Sequence, residues 1–146
     1  ILDYEGEYKE AFYWSKLGAE KYNDYNSKYL LARLYGDGEG TKKNYFQAFK
    51  WFKSLLKQRG PNKVYTHIDL EVTSCNNKAK YYLGMLYQHG DGVEKNISLG
   101  IKYFKEVVKN FDDEFESHLA CYALGKIYHY GIYRKPNLKL ALILLI

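Results

Sequence analysis

The stretch LGMLYQHGDGV, residues 83–93, decides the fold because its pattern occurs three times in the chain. LARLYGDGEG at residues 31–40 aligns with it at an offset of 52 positions, and LGKIYHYG at residues 124–131 follows it after 41 positions. A further match joins AFYW at residues 11–14 to AFKW at residues 48–51, 37 positions apart. Repeats of this length are typical of solenoid proteins, in which each unit packs mainly against its neighbours.

Each copy of the pattern predicts a pair of helices. Apolar residues recur at three- and four-residue spacing before the glycine loop, as in Leu31, Leu34 and Tyr35, which predicts a first helix. The loop ends that helix because glycine adopts the left-handed backbone at little cost. An asparagine then serves as the N-cap of the second helix, and a small residue after the central leucine lets a neighbouring helix approach closely. The asparagines are Asn44, Asn96 and Asn137, and the small residues are Ala32, Gly84 and Gly125.

We therefore expect an all-α fold, a right-handed α-α superhelix of stacked helical hairpins forming one domain. The predicted parts are a partial unit at 1–24, a unit at 25–60, an inserted loop at 61–76, a unit at 77–112 and an incomplete unit at 117–146. Turn residues and the β-branched Val64, Val72 and Thr73 favour the loop over a helix. Because residues 138–146 leave an apolar helix face uncovered, the chain is expected to be a fragment of a longer array.

Composition excludes several classes of protein. With 47% apolar residues in 146, the chain is expected to fold rather than to remain disordered. Its net charge of +5 is spread without a run of five basic residues, so no nucleic acid is expected as a partner. No apolar run approaches the roughly 20 residues that span a bilayer, so no membrane is expected within this segment. Cys75 and Cys121 are compatible with either a disulfide or two thiols.

The repeated pattern resembles the Sel-1-like repeat, a relative of the tetratricopeptide repeat. Residues 83–93 match its Leu-Gly-x-x-Tyr-x-x-Gly-x-Gly-Val core at each defining position, whereas Ala32 and Thr41 depart from it in the earlier copy. The copy at Leu124 loses the second glycine and the valine. The resemblance covers most of the chain outside residues 1–8 and 60–76.

The resemblance implies a non-enzymatic scaffold or adaptor that binds a protein or peptide. Members of the family look like scaffolds that hold other proteins, and no catalytic chemistry is shared among them. Two alternatives remain: a bacterial-type hydrolase or small-molecule-binding solenoid, and a basic surface that binds RNA. No nucleophile and base can be paired from the sequence, so we expect no catalytic residues, no metal site and no cofactor. His118 and Cys121 lie one turn apart but lack the further ligands that zinc requires.

The first helices of such solenoids line the concave face, which is where we expect a partner to bind. Outward positions lie two residues before and two and five residues after the central leucine. A row of equivalent tyrosines, with flanking cations, predicts recognition of an acidic peptide or a C-terminal carboxylate. The predicted partner-binding residues are Asn26, Tyr29, Arg33, Lys78, Tyr81, Met85, Gln88, Tyr122, Lys126 and His129. The tyrosines that follow one turn later, Tyr35, Tyr87 and Tyr128, are predicted to belong to the core.

Overall fold

A computed structural model describes residues 4–57, 67–110, 115–131 and 138–145. Within these ranges the chain forms seven α-helices and no strand, so the all-α prediction is confirmed. The helices are α1 (Tyr4–Lys21), α2 (Tyr25–Asp37), α3 (Tyr45–Lys57), α4 (His67–His89), α5 (Ile97–Lys109), α6 (Phe115–Tyr130) and α7 (Leu138–Leu145).

The helices pack as successive hairpins in two layers. The helix α2 pairs with α3, α4 with α5 and α6 with α7, and α1 packs on α2 as the second helix of a partial unit. The first helices also touch one another, since α2 contacts α4 and α4 contacts α6. Among the described residues the backbones of the second helices α1, α3 and α5 do not approach each other in this way, although the Lys53 side chain of α3 reaches Tyr103 of α5. The first helices therefore form the inner, concave layer of a solenoid, and the second helices form its outer layer.

The glycine loops join each unit to the unit before it. Gly92 has a φ of +69° and lies so close to the start of α3 that an added Cβ would be 2.5 Å from the backbone nitrogen of Phe46. Gly40 in the preceding loop meets the backbone of α1 at Tyr8 in the same way. A side chain at either position would separate two units, because the first and second helices of consecutive units meet there.

The asparagine caps form as the repeat predicts. The Asn96 side chain accepts a hydrogen bond of 3.0 Å from the backbone N–H of Leu99, and Asn44 accepts one of 3.0 Å from Gln47. Each cap satisfies a backbone donor at the helix start that has no partner within its own helix. The third predicted cap, Asn137, lies outside the described residues.

The core runs along the seam between the two layers. Phe104 is fully buried, and its ring occupies the space opened by Gly84, where an added Cβ would lie 2.7 Å from Cε1. Tyr87 packs edge-on against Phe49 of the preceding unit, with ring centroids 5.5 Å apart, and Tyr35 packs against Phe12 in the same manner. Tyr128 is buried, whereas Tyr35 and Tyr87 are half-buried. These three tyrosines therefore pack between units, in agreement with their predicted place in the core.

The predicted loop at 61–76 is wrong from residue 67 onward, because α4 already begins at His67. Residues 61–66 lie outside the described part. Two buried residues of α4 contact the neighbouring inner helices: the Cys75 thiol lies 3.1 Å from Asn26 Oδ1 of α2, and Asn77 Nδ2 donates to Ser117 Oγ of α6 at 3.4 Å. Packing between two neighbouring helices outweighs the weak helix propensity of the local sequence.

The last described helix, α7, presents apolar side chains to solvent. Leu142 and Ile143 are 64% and 61% exposed, and Leu145 is 45% exposed. In the repeat, Leu142 takes the place of Ile101, which is buried in the preceding unit. No described helix is both long enough and apolar enough to cross a bilayer.

Candidate functional site

A cleft of about 350 Å³ opens between the two inner helices α2 and α4. One side comes from Arg33 and Asp37 of α2, and the opposite side, together with part of the floor, comes from Tyr82, Met85 and His89 of α4. The outer helix α3 closes the floor with Tyr45, Ala48 and Phe52, and Lys43 and Asp91 from the two glycine loops stand at one end. We call this space the concave cleft.

Aromatic rings give the cleft a rigid apolar floor. The rings of Tyr82 and Phe52 stack with centroids 5.1 Å apart and planes 6° from parallel. Tyr29 lies beside both rings at tilted angles, 6.3 Å from Phe52 and 6.2 Å from Tyr82. Because each ring restrains the others, the floor is formed before a ligand arrives, which lowers the entropy lost on binding.

Charged groups of both signs surround this floor. The Arg33 guanidinium lies 6.0 Å from the Tyr82 centroid and 3.8 Å from the Asp37 carboxylate one turn further along α2. Both side chains of this ion pair are about half exposed, so water weakens the pair and a ligand carboxylate can compete with Asp37. His89 Nδ1 lies 2.9 Å from the carbonyl oxygen of Met85, which orients its ring at the end of α4.

Tyr29 links the floor of the cleft to the third inner helix. Its hydroxyl donates to Oε1 of Glu116 in α6 at 3.4 Å. Burial raises the pKa of the Tyr29 phenol well above its ordinary value, and the nearby Tyr82 and Glu116 act in the same direction. Tyr29 therefore stays protonated and acts as a structural bridge between α2 and α6 rather than as an exposed contact.

The predicted row of exposed tyrosines does not exist as such. Tyr81 is only 9% exposed and packs toward Phe104, so its prediction as an outward ring is wrong. The reason is that α4 is covered by α2 and α6 as well as by α3 and α5, which leaves it a narrower outward stripe than the end helices have. Tyr29 is half-buried, and only Tyr122 is freely accessible, at 54%.

The remaining predicted residues divide between the cleft and its surroundings. The cleft brings together Arg33, Met85 and the edge of Tyr81. Lys78 lies 5.9 Å from the Tyr29 centroid, and on α6 the ammonium of Lys126 lies 4.6 Å from the Tyr122 centroid. Four others lie away from the cleft: Asn26 contacts Cys75, Gln88 faces Gly100 of α5, and Tyr122 and His129 stand exposed on α6.

Sequence reasoning missed Tyr82, which is the residue that the cleft is built around. Tyr82 occupies the position of Leu30 and Ala123 in the other units, where helical spacing counts it only among the apolar residues of the first helix. Tyr82 could have been identified from Phe52, which lies in the second helix of the preceding unit at a position that faces the same seam between the units. Asp37 and Lys43 were also missed. Asp37 is the last residue of α2 and Lys43 lies in the loop that follows, and the sequence around them was interpreted only as a turn.

Nothing in the described residues forms a group of three or more histidine, cysteine or acidic side chains that could hold a metal ion. Cys75 is a buried thiol and Cys121 a half-buried thiol. His118 and Cys121 line a shallow depression against α7 together with Tyr122 and apolar side chains.

A sequence model of the Sel1 repeat family matches residues 4–23, 26–58, 77–106 and 118–146. The chain belongs to the Sel1 repeat family. Its four matched segments coincide with α1, the α2–α3 hairpin, the α4–α5 hairpin and the α6–α7 hairpin. The upstream half of α4, residues 67–76, lies outside the matched segments and is an addition to the repeat.

Two solved structures are similar to this chain, and the first of them shows the same fold. A Sel1 repeat protein from Oxalobacter formigenes is 21% identical, with a TM-score of 0.64 over 96% of this chain and 51% of its own. The protein c5321, described as a protective antigen of uropathogenic Escherichia coli with an SLR fold, is 17% identical, with a TM-score of 0.43 over 94% of this chain and 32% of its own. This chain thus spans about half the length of the first structure. Sel1 repeat proteins are generally scaffolds for protein–protein interaction.

Proposed function

We propose that this Sel1 repeat chain is a non-enzymatic adaptor and that it binds a peptide or a segment of a partner protein in the concave cleft. The observation that carries the proposal is the half-buried Tyr82 ring, held by stacking on the buried Phe52 ring, in an open cleft between two inner helices. Large aromatic side chains at the centre of a concave surface are the usual source of binding energy in protein interfaces.

The polar groups around the floor suit a peptide with an apolar anchor and a carboxylate. An aliphatic or aromatic side chain would lie against Tyr82 and Met85, which together offer a flat ring and an adaptable thioether. A carboxylate beside that anchor would replace Asp37 as the partner of Arg33. Asp37 and Asp91 balance part of the positive charge, so the ligand is expected to carry one or two carboxylates rather than a long acidic run.

The test is selection of a peptide ligand from a random display library, followed by affinity measurements on matched variants. Arg33→Glu inverts an exposed charge inside the cleft, and Lys126→Glu inverts an exposed charge on the same concave face outside it. Arg33→Glu is expected to weaken binding by about tenfold or more, as truncation of an interface hot spot does. Lys126→Glu is expected to leave the affinity unchanged.

Two results would contradict the proposal. One is equal affinity for the wild type and Arg33→Glu, and the other is a larger loss in Lys126→Glu. A second pair of variants, Tyr82→Ala and Tyr122→Ala, distinguishes binding in the concave cleft from binding at the row of tyrosines that the sequence predicts. Because Tyr82 also contacts Phe52, circular dichroism must first show that Tyr82→Ala retains its helices.

A further inference from the structure

The outer layer carries a lysine pattern that repeats between units. In α3, Lys50, Lys53 and Lys57 lie three and then four residues apart, and α5 repeats the spacing at Lys102, Lys105 and Lys109, 52 positions later. This spacing places each trio along one side of its helix. In α3 that side faces away from the buried Ala48 that lines the concave cleft, so the trio belongs to the opposite surface of the solenoid.

Each lysine trio surrounds a shallow cleft with an apolar floor. The cleft on α3 has a volume of about 420 Å³, with Phe49 and Trp51 beneath its lysines. The cleft on α5 has a volume of about 410 Å³, with Ile101 and Tyr128 beneath its lysines. The two clefts are nearly equal in size and lie at equivalent repeat positions, each edged by three lysines, and the α5 cleft also contains Glu106. We call the two clefts together the outer lysine face.

Little negative charge offsets the outer lysine face. The helix α3 contains no acidic residue, and the single acid of α5, Glu106, pairs with Lys80 of α4 at 3.3 Å. Lys53 bridges the two helices, since its ammonium donates to the Tyr103 hydroxyl at 3.3 Å. The other five lysines of the two trios have no acidic side chain within ion-pair distance among the described residues.

We propose that the outer lysine face is a second docking surface, which takes an acidic segment of a partner protein with apolar side chains between its carboxylates. The ammonium groups stand at the rims, where they would meet Asp or Glu side chains, and the recessed floors would receive the apolar side chains between them. With the concave cleft on the opposite side, the chain would bridge two partners instead of receiving one.

The placement of the aromatic rings favours a protein over a membrane or a nucleic acid. A bilayer surface is bound through several aromatic side chains that protrude beside the cations. Phe46, whose ring centroid lies 5.8 Å from the Lys50 ammonium, is exposed, but Phe49 and Trp51 in the cleft are half-buried. Stacking of bases needs accessible ring faces, yet Tyr103 stacks on Tyr87 at 5.9 Å and Phe49 packs edge-on against the same tyrosine. All six cations are lysines, which lack the planar fork that arginine uses to grip phosphate.

The test uses a short labelled peptide in which pairs of glutamates alternate with single leucines, titrated by fluorescence anisotropy at low salt. Its control peptide has glutamine in place of every glutamate. The variant Lys50→Gln/Lys102→Gln removes two exposed, equivalent lysines of the face, and Lys42→Gln/Lys95→Gln removes two exposed lysines outside it. Both variants lose the same net charge, so only position distinguishes them.

We expect the acidic peptide to bind the wild type and the control variant equally, and the Lys50→Gln/Lys102→Gln variant about tenfold more weakly, from two surface charge contacts. Arg33→Glu should leave this affinity unchanged, so the experiment tests the outer lysine face independently of the proposed binding in the concave cleft. Equal losses in the two double variants, or no binding of the acidic peptide, would overturn the proposal. Tighter binding of phosphatidylserine vesicles or of RNA with the same dependence on Lys50 and Lys102 would overturn the assignment to a protein.

Discussion

Replacing Gly92 with alanine perturbs the contact on which the stacking of units depends. The residue has a φ of +69°, and an alanine held in this left-handed conformation costs about 1–2 kcal/mol. The added Cβ would also overlap the backbone at the start of α3, 2.5 Å from the nitrogen of Phe46. Backbone cannot rotate out of the way as a side chain can, so overpacking of this kind adds about 1–3 kcal/mol. We expect Gly92→Ala to lower the free energy of unfolding by about 2–5 kcal/mol.

Gly90 provides the matched control in the same loop. Its φ of +72° is nearly the same, but an added Cβ would meet only Lys95, 3.0 Å from its Cβ and 3.4 Å from its backbone nitrogen. Gly90→Ala should therefore cost mainly the conformational part, about 1–2 kcal/mol, because only Lys95 within the same loop has to shift. The difference between the two variants isolates the contact between units.

Urea unfolding measures both variants, followed by far-ultraviolet circular dichroism and by tyrosine and tryptophan fluorescence. Coincident transitions are required, because repeat arrays can unfold unit by unit. Equal destabilisation by Gly90→Ala and Gly92→Ala would refute the reasoning, because the whole cost would then come from the backbone conformation of the loop and none from the contact between Gly92 and α3. A Gly92→Ala variant as stable as the wild type would refute it more severely.

Three further predictions concern the core, the tyrosines and the caps. Phe104→Ala should destabilise the fold by about 3–5 kcal/mol in urea unfolding, because the ring is fully buried, whereas Phe46→Ala at a 57% exposed site should change it by less than about 0.5 kcal/mol. Burial raises the pKa of Tyr29 and of Tyr81, so above about pH 10 the unfolded chain loses these protons while the folded chain keeps them. Stability should thus fall as the pH rises through that range, and replacing both tyrosines with phenylalanine should flatten the fall; an unchanged slope would contradict the assignment. Asn96→Ala should cost about 1 kcal/mol by removing the cap of α5, and a thermal midpoint equal to the wild type would argue against the cap.

The sequence predicted the structural features that recur from one unit to the next. The caps at Asn44 and Asn96 and the glycine loops recur at fixed offsets, and each is a local device that depends on few neighbours. The start of α4 escaped prediction because the residues from 67 to 76 have no counterpart in the other units. Their helix is held by tertiary contacts, such as that of Cys75 with Asn26, which no local pattern reports.

The candidate site was predicted only in part, and for a geometric reason. Equivalence between units placed Tyr29, Tyr81 and Tyr122 on one face, but neighbouring helices surround α4 more completely than they surround α2 or α6. Tyr81 is therefore buried, and the adjacent Tyr82, about 100° further around the helix, takes its place at the cleft. The exposure of an equivalent residue therefore depends on which helices flank its unit, and the repeat pattern does not contain that information.

The outer lysine face and the concave cleft lie on opposite sides of the same two hairpins. The cleft is lined by α2, α3 and α4, and the lysine face by α3 and α5, so α3 contributes to both. If both surfaces are occupied, one partner is held through aromatic anchors and the other through charge. Raising the salt concentration should then release the acidic partner first, because exposed ion pairs are screened and apolar contacts are not.

The most direct test of the central claim is nuclear magnetic resonance mapping of a peptide selected on the wild-type chain. The amide signals of Arg33, Tyr82 and Met85 should shift on addition of the peptide, and those of Tyr122 and Lys126 on the same concave face should stay in place. Shifts confined to Tyr122 and Lys126, or to the outer helices, with Arg33, Tyr82 and Met85 unmoved, would contradict the account.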